Sequence, residues 1–594
     1  MSLKEQLPMN TAAIYHRPES EFAYLYDAET MHIRLRTAKG DIKKVQLVSA
    51  DPYLIGEQWN ENPVPMLKIL STDLYDYWFV AVTSDTKRLS YGFTVEGEDG
   101  LSAFYGDHGI YPLEDKYLAM PNNYFRMPYF QEVDRFKSPE WVKETVWYQI
   151  FPERFANGDQ SNDPKGTLPW GSKDPDRQDF FGGDLQGVLE NLDYLEDLGI
   201  NGLYFCPIFE AGSNHKYDTI DYLKIDPDFG DGALFKKLVE ECHARGIKIM
   251  LDAVFNHMGD VSPQWQDVIK NGENSKYADW FHVREFPVTY TEGKDFENAT
   301  EITYDVFAFT PHMPKLNTAN PEVQEYLLNI AKYWIEEYDI DAWRLDVANE
   351  VDHSFWKKFR QVCDATKDDF YILGEIWHSS QRWLQGDEFH AVMNYAYTDA
   401  ILGYFVKDEI GMEKMVSEIN SQLMLYPDQT NQMQFNVLDS HDTARLLTET
   451  KEDKDLMKQV MAFTYIQPGV PCLYYGDEIG MTGANDPDCR KCMVWEEEKQ
   501  DRELHQFVKD LIALRRNEAK TLSEGSVHWL ATETASGTII FERTLNNRTI
   551  RGIFNTGMEA ITTELIGENV LSNGVTSKNN AITIEPKGFI ITVK

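Results

Sequence analysis

Positive charge is the first thing this chain of 594 residues is short of: 57 Lys plus Arg stand against 97 Asp plus Glu, a formal charge of −40. Such a surface repels phosphate backbones and anionic lipid, which argues against nucleic acid and membranes as partners. It leaves a neutral ligand such as a sugar unaffected. Cysteine is also sparse. The six thiols, Cys206, Cys242, Cys363, Cys472, Cys489 and Cys492, sit mostly in apolar surroundings, as buried thiols of a reducing compartment do. Cys489 and Cys492 have CxxC spacing, but no second ligand pair lies near them, which speaks against a zinc or redox site. Long apolar runs are missing: none reaches the roughly 20 residues that span a bilayer. The polar opening MSLKEQLPMN lacks the charged-then-apolar pattern of an export signal. Together these absences predict a cytoplasmic protein.

What is present is ordinary hydrophobic content, 42%, with aromatics at 13%. The chain is longer than one core supports, so several domains are expected. Residues 1–121 read as strands and turns, with apolar residues alternating or clustering at 23–26, 31–36 and 78–82, and predict an N-terminal β-sandwich. A proline-containing linker follows near Met127-Pro128. From 144 onward short apolar runs alternate with amphipathic helices, the pattern of βα units on a parallel sheet. Eight such runs, at 146–151, 202–208, 247–254, 340–347, 371–376, 391–395, 435–438 and 471–475, make an α/β fold with a (β/α)₈ barrel over 122–258 and 315–516 the economical expectation. Before the fourth run, Asn320 can cap a helix, Pro321 suits its first position, and Val323, Leu327, Ile330 and Trp334 fall on one stripe. Residues 259–314 lack a clear helical period and read as a small inserted domain after the third strand. Strand patterns return after 517, at 537–541 and 581–584, and predict a C-terminal β-sandwich over 517–594.

Barrel enzymes carry their chemistry where strands end. The third run ends Asp252-Ala-Val-Phe-Asn256-His257, the fourth Trp343-Arg344-Leu345-Asp346, the fifth Gly374-Glu375-Ile376-Trp377, and the seventh Asp439-Ser440-His441-Asp442. Four strands thus deliver carboxylates, an arginine and histidines to one rim. Arg344 and Asp346, two apart on a strand, point the same way. The arginine is expected to lower the Asp346 pKa and keep it ionised, as a nucleophile must be. Glu375, beside apolar neighbours, is expected to hold a proton and act as general acid. Asp442 is a third carboxylate suited to sugar hydroxyls, and His257 and His441 are candidate hydroxyl ligands. The same groups could make a metal site, but the histidines lack HExxH or HxH spacing. A non-catalytic sugar-binding barrel would be expected to lose carboxylates that are all present here.

These four strings, in order, resemble the conserved regions of the α-amylase superfamily. Met313-Pro-Lys-Leu-Asn317 and Val347-Ala-Asn-Glu350 are similar to the tags of its neopullulanase, cyclomaltodextrinase and maltogenic amylase subfamily, whose domain layout the whole chain matches. The resemblance implies a retaining hydrolase of cyclodextrins, pullulan and short α-1,4-glucans, with some α-1,6 cleavage and transglycosylation. A mainly transglycosylating enzyme is the alternative. It implies Asp346 as nucleophile, Glu375 as acid/base, Asp442 as transition-state stabiliser, and Arg344, His257 and His441 around the cleaved sugar. Tyr217 resembles a sugar-stacking tyrosine, Trp377 a residue shaping the acceptor side, and Asp486 and Arg490 binders of the non-reducing end. Ala342 departs from a commoner glycine. Asn157, Asp159, Asn162 and Asp163, completed by Gly182 and Asp184, resemble a structural calcium loop of alternating oxygen ligands. The resemblance also implies a homodimer formed through the N-terminal domain.

Overall fold

Every one of the eight apolar runs holds a strand of a single parallel sheet. We number these strands β1 (Trp147–Ile150), β2 (Gly202–Phe205), β3 (Lys248–Ala253), β4 (Ala342–Leu345), β5 (Tyr371–Gly374), β6 (Ala391–Val392), β7 (Phe435–Asn436) and β8 (Val470–Tyr474). Their spatial order is β6-β5-β4-β3-β2-β1-β8-β7, and a bridge between Met393 and Phe435 joins the two ends, so the sheet closes into a barrel. This computed structural model describes residues 9–54, 62–294, 298–578 and 581–594. Most of the polar opening that lacks an export pattern lies outside the described residues.

The period of two along each strand sorts the side chains. Trp147, Tyr204, Met250, Ala342, Tyr371, Ala391 and Phe435 pack against one another inside the barrel. Their neighbours Tyr148, Leu203, Ile249, Trp343 and Ile372 face outward into the layer of helices. The helix Pro321–Tyr338 forms as its sequence dictates: the Asn320 side chain accepts the Glu322 N–H at 2.8 Å, and Val323, Leu327, Ile330 and Trp334 are buried. The segment between β3 and this helix carries a helix of its own, Pro263–Asn271, capped by Ser262. Polar residues at 264, 266 and 267 blur its period, but Ser262-Pro263 was a readable start signal.

At the N-terminus two antiparallel sheets face each other. One contains Ala23–Leu25, Thr30–Ala38, Leu67–Ser71 and Tyr75–Thr83; the other is built around Ile42–Ala50 and Leu89–Gly97. Met31, Ile33 and Leu35 point into their shared core. Arg34, on the opposite face, is also buried, because that face docks on the barrel. Its guanidinium donates to the Tyr426 carbonyl at 2.8 Å and pairs with Asp428, which His32 Nδ1 also meets at 2.8 Å. Burial disfavours the Asp428 carboxylate, but Arg34 and His32 outweigh it and hold this group well below the usual carboxylate range. After the helix Arg502–Asn517, six strands form a C-terminal antiparallel sheet, whose long last strand, Ala581–Val593, pairs with three neighbours.

Candidate active site

The chemistry is set by strand register. In the β3–β4 and β4–β5 pairs Asp252 lies opposite Arg344, and Leu345 opposite Gly374. The ladder then runs one residue past the strands: Asp346 N–H donates to the Ala253 carbonyl at 3.1 Å and Glu375 N–H to the Leu345 carbonyl at 2.9 Å. Backbone pairing therefore fixes Asp346 and Glu375 side by side at the barrel mouth. Gly374 permits this, since a Cβ there would lie 2.6 Å from the Phe389 ring.

Arg344 is fully buried and organises three carboxyls. Its Nη1 donates to both Asp252 oxygens, at 3.0 and 2.8 Å, and to Asp346 Oδ1 at 2.8 Å. Its Nη2 lies 3.0 Å from Glu375 Oε2, an ion pair without hydrogen-bond alignment. One positive charge thus serves three acidic groups. Burial pushes the Asp346 carboxyl well above its ordinary pKa. Arg344 opposes this, while Glu375, Asp252 and Asp442 add to the rise. Arg344 does pull the Asp346 pKa down, as expected, but desolvation and the neighbouring carboxyls outweigh one arginine, so the net shift is upward. Asp252 is likewise raised by burial, to about 6, against the pull of Arg344. Glu375 also accepts the Val347 N–H at 2.8 Å and Trp377 Nε1–H at 3.1 Å. Val347 sits at φ 46°, a costly conformation for a β-branched residue, and this strain aims its N–H at the carboxylate.

A cavity of about 540 Å³ opens above these groups, and Tyr217, His257, Asp346, Glu375, Trp377, His441 and Asp442 line it with Asp486 and Arg490. The Tyr217 ring lies parallel to His441 with centroids 5.5 Å apart, and its hydroxyl is 2.7 Å from His441 Nε2 and 3.0 Å from Asp252 Oδ2. His257 is neutral at neutral pH, because burial lowers its pKa to about 3; its ring stacks on Phe307. Trp377 is 48% exposed and stacks on Tyr395 with centroids 3.6 Å apart. Arg490 ties the far wall together, meeting Asp442 at 3.3 Å and Asp486 at 2.9 Å.

The six residues of the suspected calcium loop form one separate cluster. Asp184 accepts the N–H groups of Gly158, Asp159 and Gly187 and the Asn162 amide, so its carboxylate holds the loop backbone. The Asp159 carboxylate turns to Ser161. Asn157 Nδ2 donates to Asp163 Oδ1 at 2.8 Å, and the Asn157 and Asn162 amide oxygens are buried with no hydrogen-bond partner. Gly182, at φ 82°, leaves room beside them: a Cβ would fall 2.2 Å from the Asp163 carboxylate.

Sequence reasoning passed over four residues of the site. Asp252 was visible at a strand end, and its register opposite Arg344 was the missing signal. Tyr204 donates to Asp252 at 3.0 Å from inside the barrel, and Gln149 touches His441. Phe307, in the insert, carried no pattern that would have placed it against His257.

The family model described as "Alpha amylase, catalytic domain" matches residues 149–521, and "Alpha amylase, N-terminal ig-like domain" matches 9–131. The chain is 54% identical to the intracellular maltogenic amylase of Bacillus subtilis (strain 168) over 550 residues, 92% of each chain. It is 44% identical to neopullulanase 2 of Thermoactinomyces vulgaris over 545 residues, 91% of this chain and 90% of that one. A solved cyclomaltodextrinase structure superposes with a TM-score of 0.90 at 45% identity, covering 98% of this chain and 100% of that one. A closed barrel with its acidic groups gathered at the strand ends, matched along most of its length by such relatives, leaves one conclusion: the chain belongs to the α-amylase family of glycoside hydrolases.

Proposed function

We propose that the enzyme hydrolyses α-glucosidic bonds in cyclodextrins, pullulan and short α-1,4-glucans with retention of configuration, some α-1,6 cleavage included. The observation that carries the mechanism is the shared contact of Asp346 and Glu375 with one guanidinium, which gathers the two carboxyls around a single point of the barrel mouth. Retaining enzymes work with a nucleophile and an acid roughly 5–5.5 Å apart. Glu375 gives its proton to the glycosidic oxygen as Asp346 Oδ attacks the anomeric carbon, and the leaving sugar departs. Water then gives a proton to Glu375 and attacks the glycosyl ester, freeing Asp346. Asp442 holds sugar hydroxyls as the ring flattens, with Arg344, His257 and His441 around the same sugar and Tyr217 stacking on it. Asp486 and Arg490 meet the non-reducing end. β-Cyclodextrin, pullulan and starch, digested side by side and followed by NMR, are expected to release α-anomers first. Initial release of the β-anomer would overturn the retaining mechanism.

Transglycosylation is the second reading, favoured by the exposed Trp377 ring, backed by buried Tyr395, beside Glu375. Such a platform suits an acceptor sugar that intercepts the ester before water does. A product time course with added acceptor separates transfer from hydrolysis.

A structural Ca²⁺ is proposed at Asn157, Asp159, Asn162, Asp163, Gly182 and Asp184. The two orphaned amide oxygens beside the Asp163 carboxylate support it, since hard oxygen donors suit that ion. When bound, the ion would brace the loop after β1, with no part in bond cleavage. Chelation is expected to lower the melting temperature by several degrees and leave the rate of the still-folded enzyme unchanged; an unshifted melting curve argues against the ion.

The compartment proposed is the cytoplasm: among the described residues no helix is long and apolar enough to cross a membrane, and all six cysteines are buried and free. A homodimer through the N-terminal domain is also proposed, supported by the exposed Tyr53, Leu54, Met120, Tyr129 and Val133 in that part of the chain. Light scattering should then give twice the 68.7 kDa chain mass.

A further inference from the structure

Gln149, on β1, does not itself line the cavity, yet its fully buried carboxamide ends on a residue that does. Its Nε2 lies 2.7 Å from His441 Nδ1 and 3.5 Å from Cys206 Sγ. An amide nitrogen can only donate, so His441 Nδ1 must accept, and the ring proton of the neutral imidazole must sit on Nε2. His441 Nε2–H then donates to the Tyr217 hydroxyl at 2.7 Å, nearer than Asp442 Oδ2 at 3.3 Å, and that hydroxyl has one proton left to give, to Asp252 Oδ2 at 3.0 Å. Turning the carboxamide over would aim its oxygen at His441 and leave the two N–H donors in the place of Gln149 Oε1, a buried position with no hydrogen-bond partner. Burying two unpaired donors costs more than burying one unpaired carbonyl, so the orientation is determined. Burial keeps the His441 ring neutral, so a single tautomer is at stake.

We infer that Gln149 is a positioning residue: its carboxamide sets the His441 tautomer, and through it the direction of a Gln149–His441–Tyr217–Asp252 hydrogen-bond chain that holds the stacked Tyr217 and His441 rings at the cleaved sugar. The inference rests on the site proposed above. It differs from a packing role because an apolar or acidic group of the same size would not reproduce it. Gln149→Glu keeps the shape but offers His441 Nδ1 an acceptor, which calls the proton to Nδ1 and favours the imidazolium. In the neutral Nδ1–H form Tyr217 must then turn its own proton towards His441 and away from Asp252, whereas the imidazolium leaves its direction unchanged. Gln149→Leu removes the donor and imposes no tautomer.

The test is long-range ¹H–¹⁵N NMR of His441 in the full-length enzyme, with its resonances assigned by comparison with His441→Asn. Wild type is expected to show the Nε2–H tautomer and Gln149→Glu the Nδ1–H or doubly protonated ring. With cyclodextrin, both Gln149 variants are expected to lose about 10- to 100-fold in kcat/KM. In Gln149→Glu the acidic limb of the pH–rate profile should also shift. An Nδ1–H tautomer in wild type overturns the inference even if no variant folds. So does a folded Gln149→Glu with an unchanged tautomer and pH profile. The NMR readout needs no turnover, so it stays decisive even if the proposed substrates or mechanism fail.

Discussion

Asp346→Asn is expected to lower kcat by about four orders of magnitude or more, the scale on which removal of a nucleophile acts. Asparagine has the shape of aspartate, and its amide oxygen can still accept from Arg344 Nη1, as Asp346 Oδ1 does at 2.8 Å. The cavity and the sugar contacts should therefore survive, and calorimetry should find cyclodextrin bound within a few-fold of wild type. What is lost is the oxygen nucleophile that forms the glycosyl ester. The variant should not lose stability, because it removes one of three acidic groups competing for a single buried guanidinium. Its melting temperature should equal or exceed that of wild type. Turnover within tenfold of wild type would dismiss Asp346 as the nucleophile.

Arg344→Met is expected to have the largest effect on stability, a loss of about 3–5 kcal/mol, the range seen when one partner of a buried ion pair is removed. Asp252, Asp346 and Glu375 would keep their burial and lose their shared cation. The loss should depend on pH in a defined direction. Asp252 already sits at about 6 in the folded enzyme against an ordinary 3.8. A carboxyl raised by folding binds more protons in the native state, so its contribution to stability is complete below the unfolded pKa and disappears as pH rises through the folded one. Wild type should accordingly lose some stability between about pH 4 and 6 from this group. In the variant the influence that most lowers the Asp252 and Asp346 pKa values is gone, so the decline should extend to higher pH and the destabilisation should be worst above neutrality. Denaturant melts across that range check it. A variant equally stable at acidic and alkaline pH would show that Arg344 does not balance the buried carboxyls.

How much of this could be read from the sequence depended on whether the determinants were local. The helix Pro321–Tyr338 was legible because its cap, its first-turn proline and its apolar stripe are all neighbours in sequence. The barrel was legible because a strand buried on both faces must be apolar throughout. Strand ends were less so. β6 spans only Ala391–Val392, since Met393 already makes the closing bridge and Tyr395 begins a helix. The acidic groups were found because they follow directly on apolar runs. The upward shift of Asp346 was not, because Arg344 stands two residues from Asp346 in sequence, whereas Asp252, Glu375 and Asp442 come from other strands. Gln149 escaped for the same reason: its partner His441 lies 292 residues away.

The packed interior of the barrel has one more consequence. Trp147, Tyr204, Met250, Tyr371 and Phe435 fill the space beneath the catalytic groups, so the cleft has a solid floor and no opening down the barrel axis. A glucan cannot pass through the barrel, so sugar arrives and leaves on the one face where the strands end. Each product fragment therefore blocks the next arrival until it leaves, and small sugars such as maltose should compete directly with fresh substrate for that doorway.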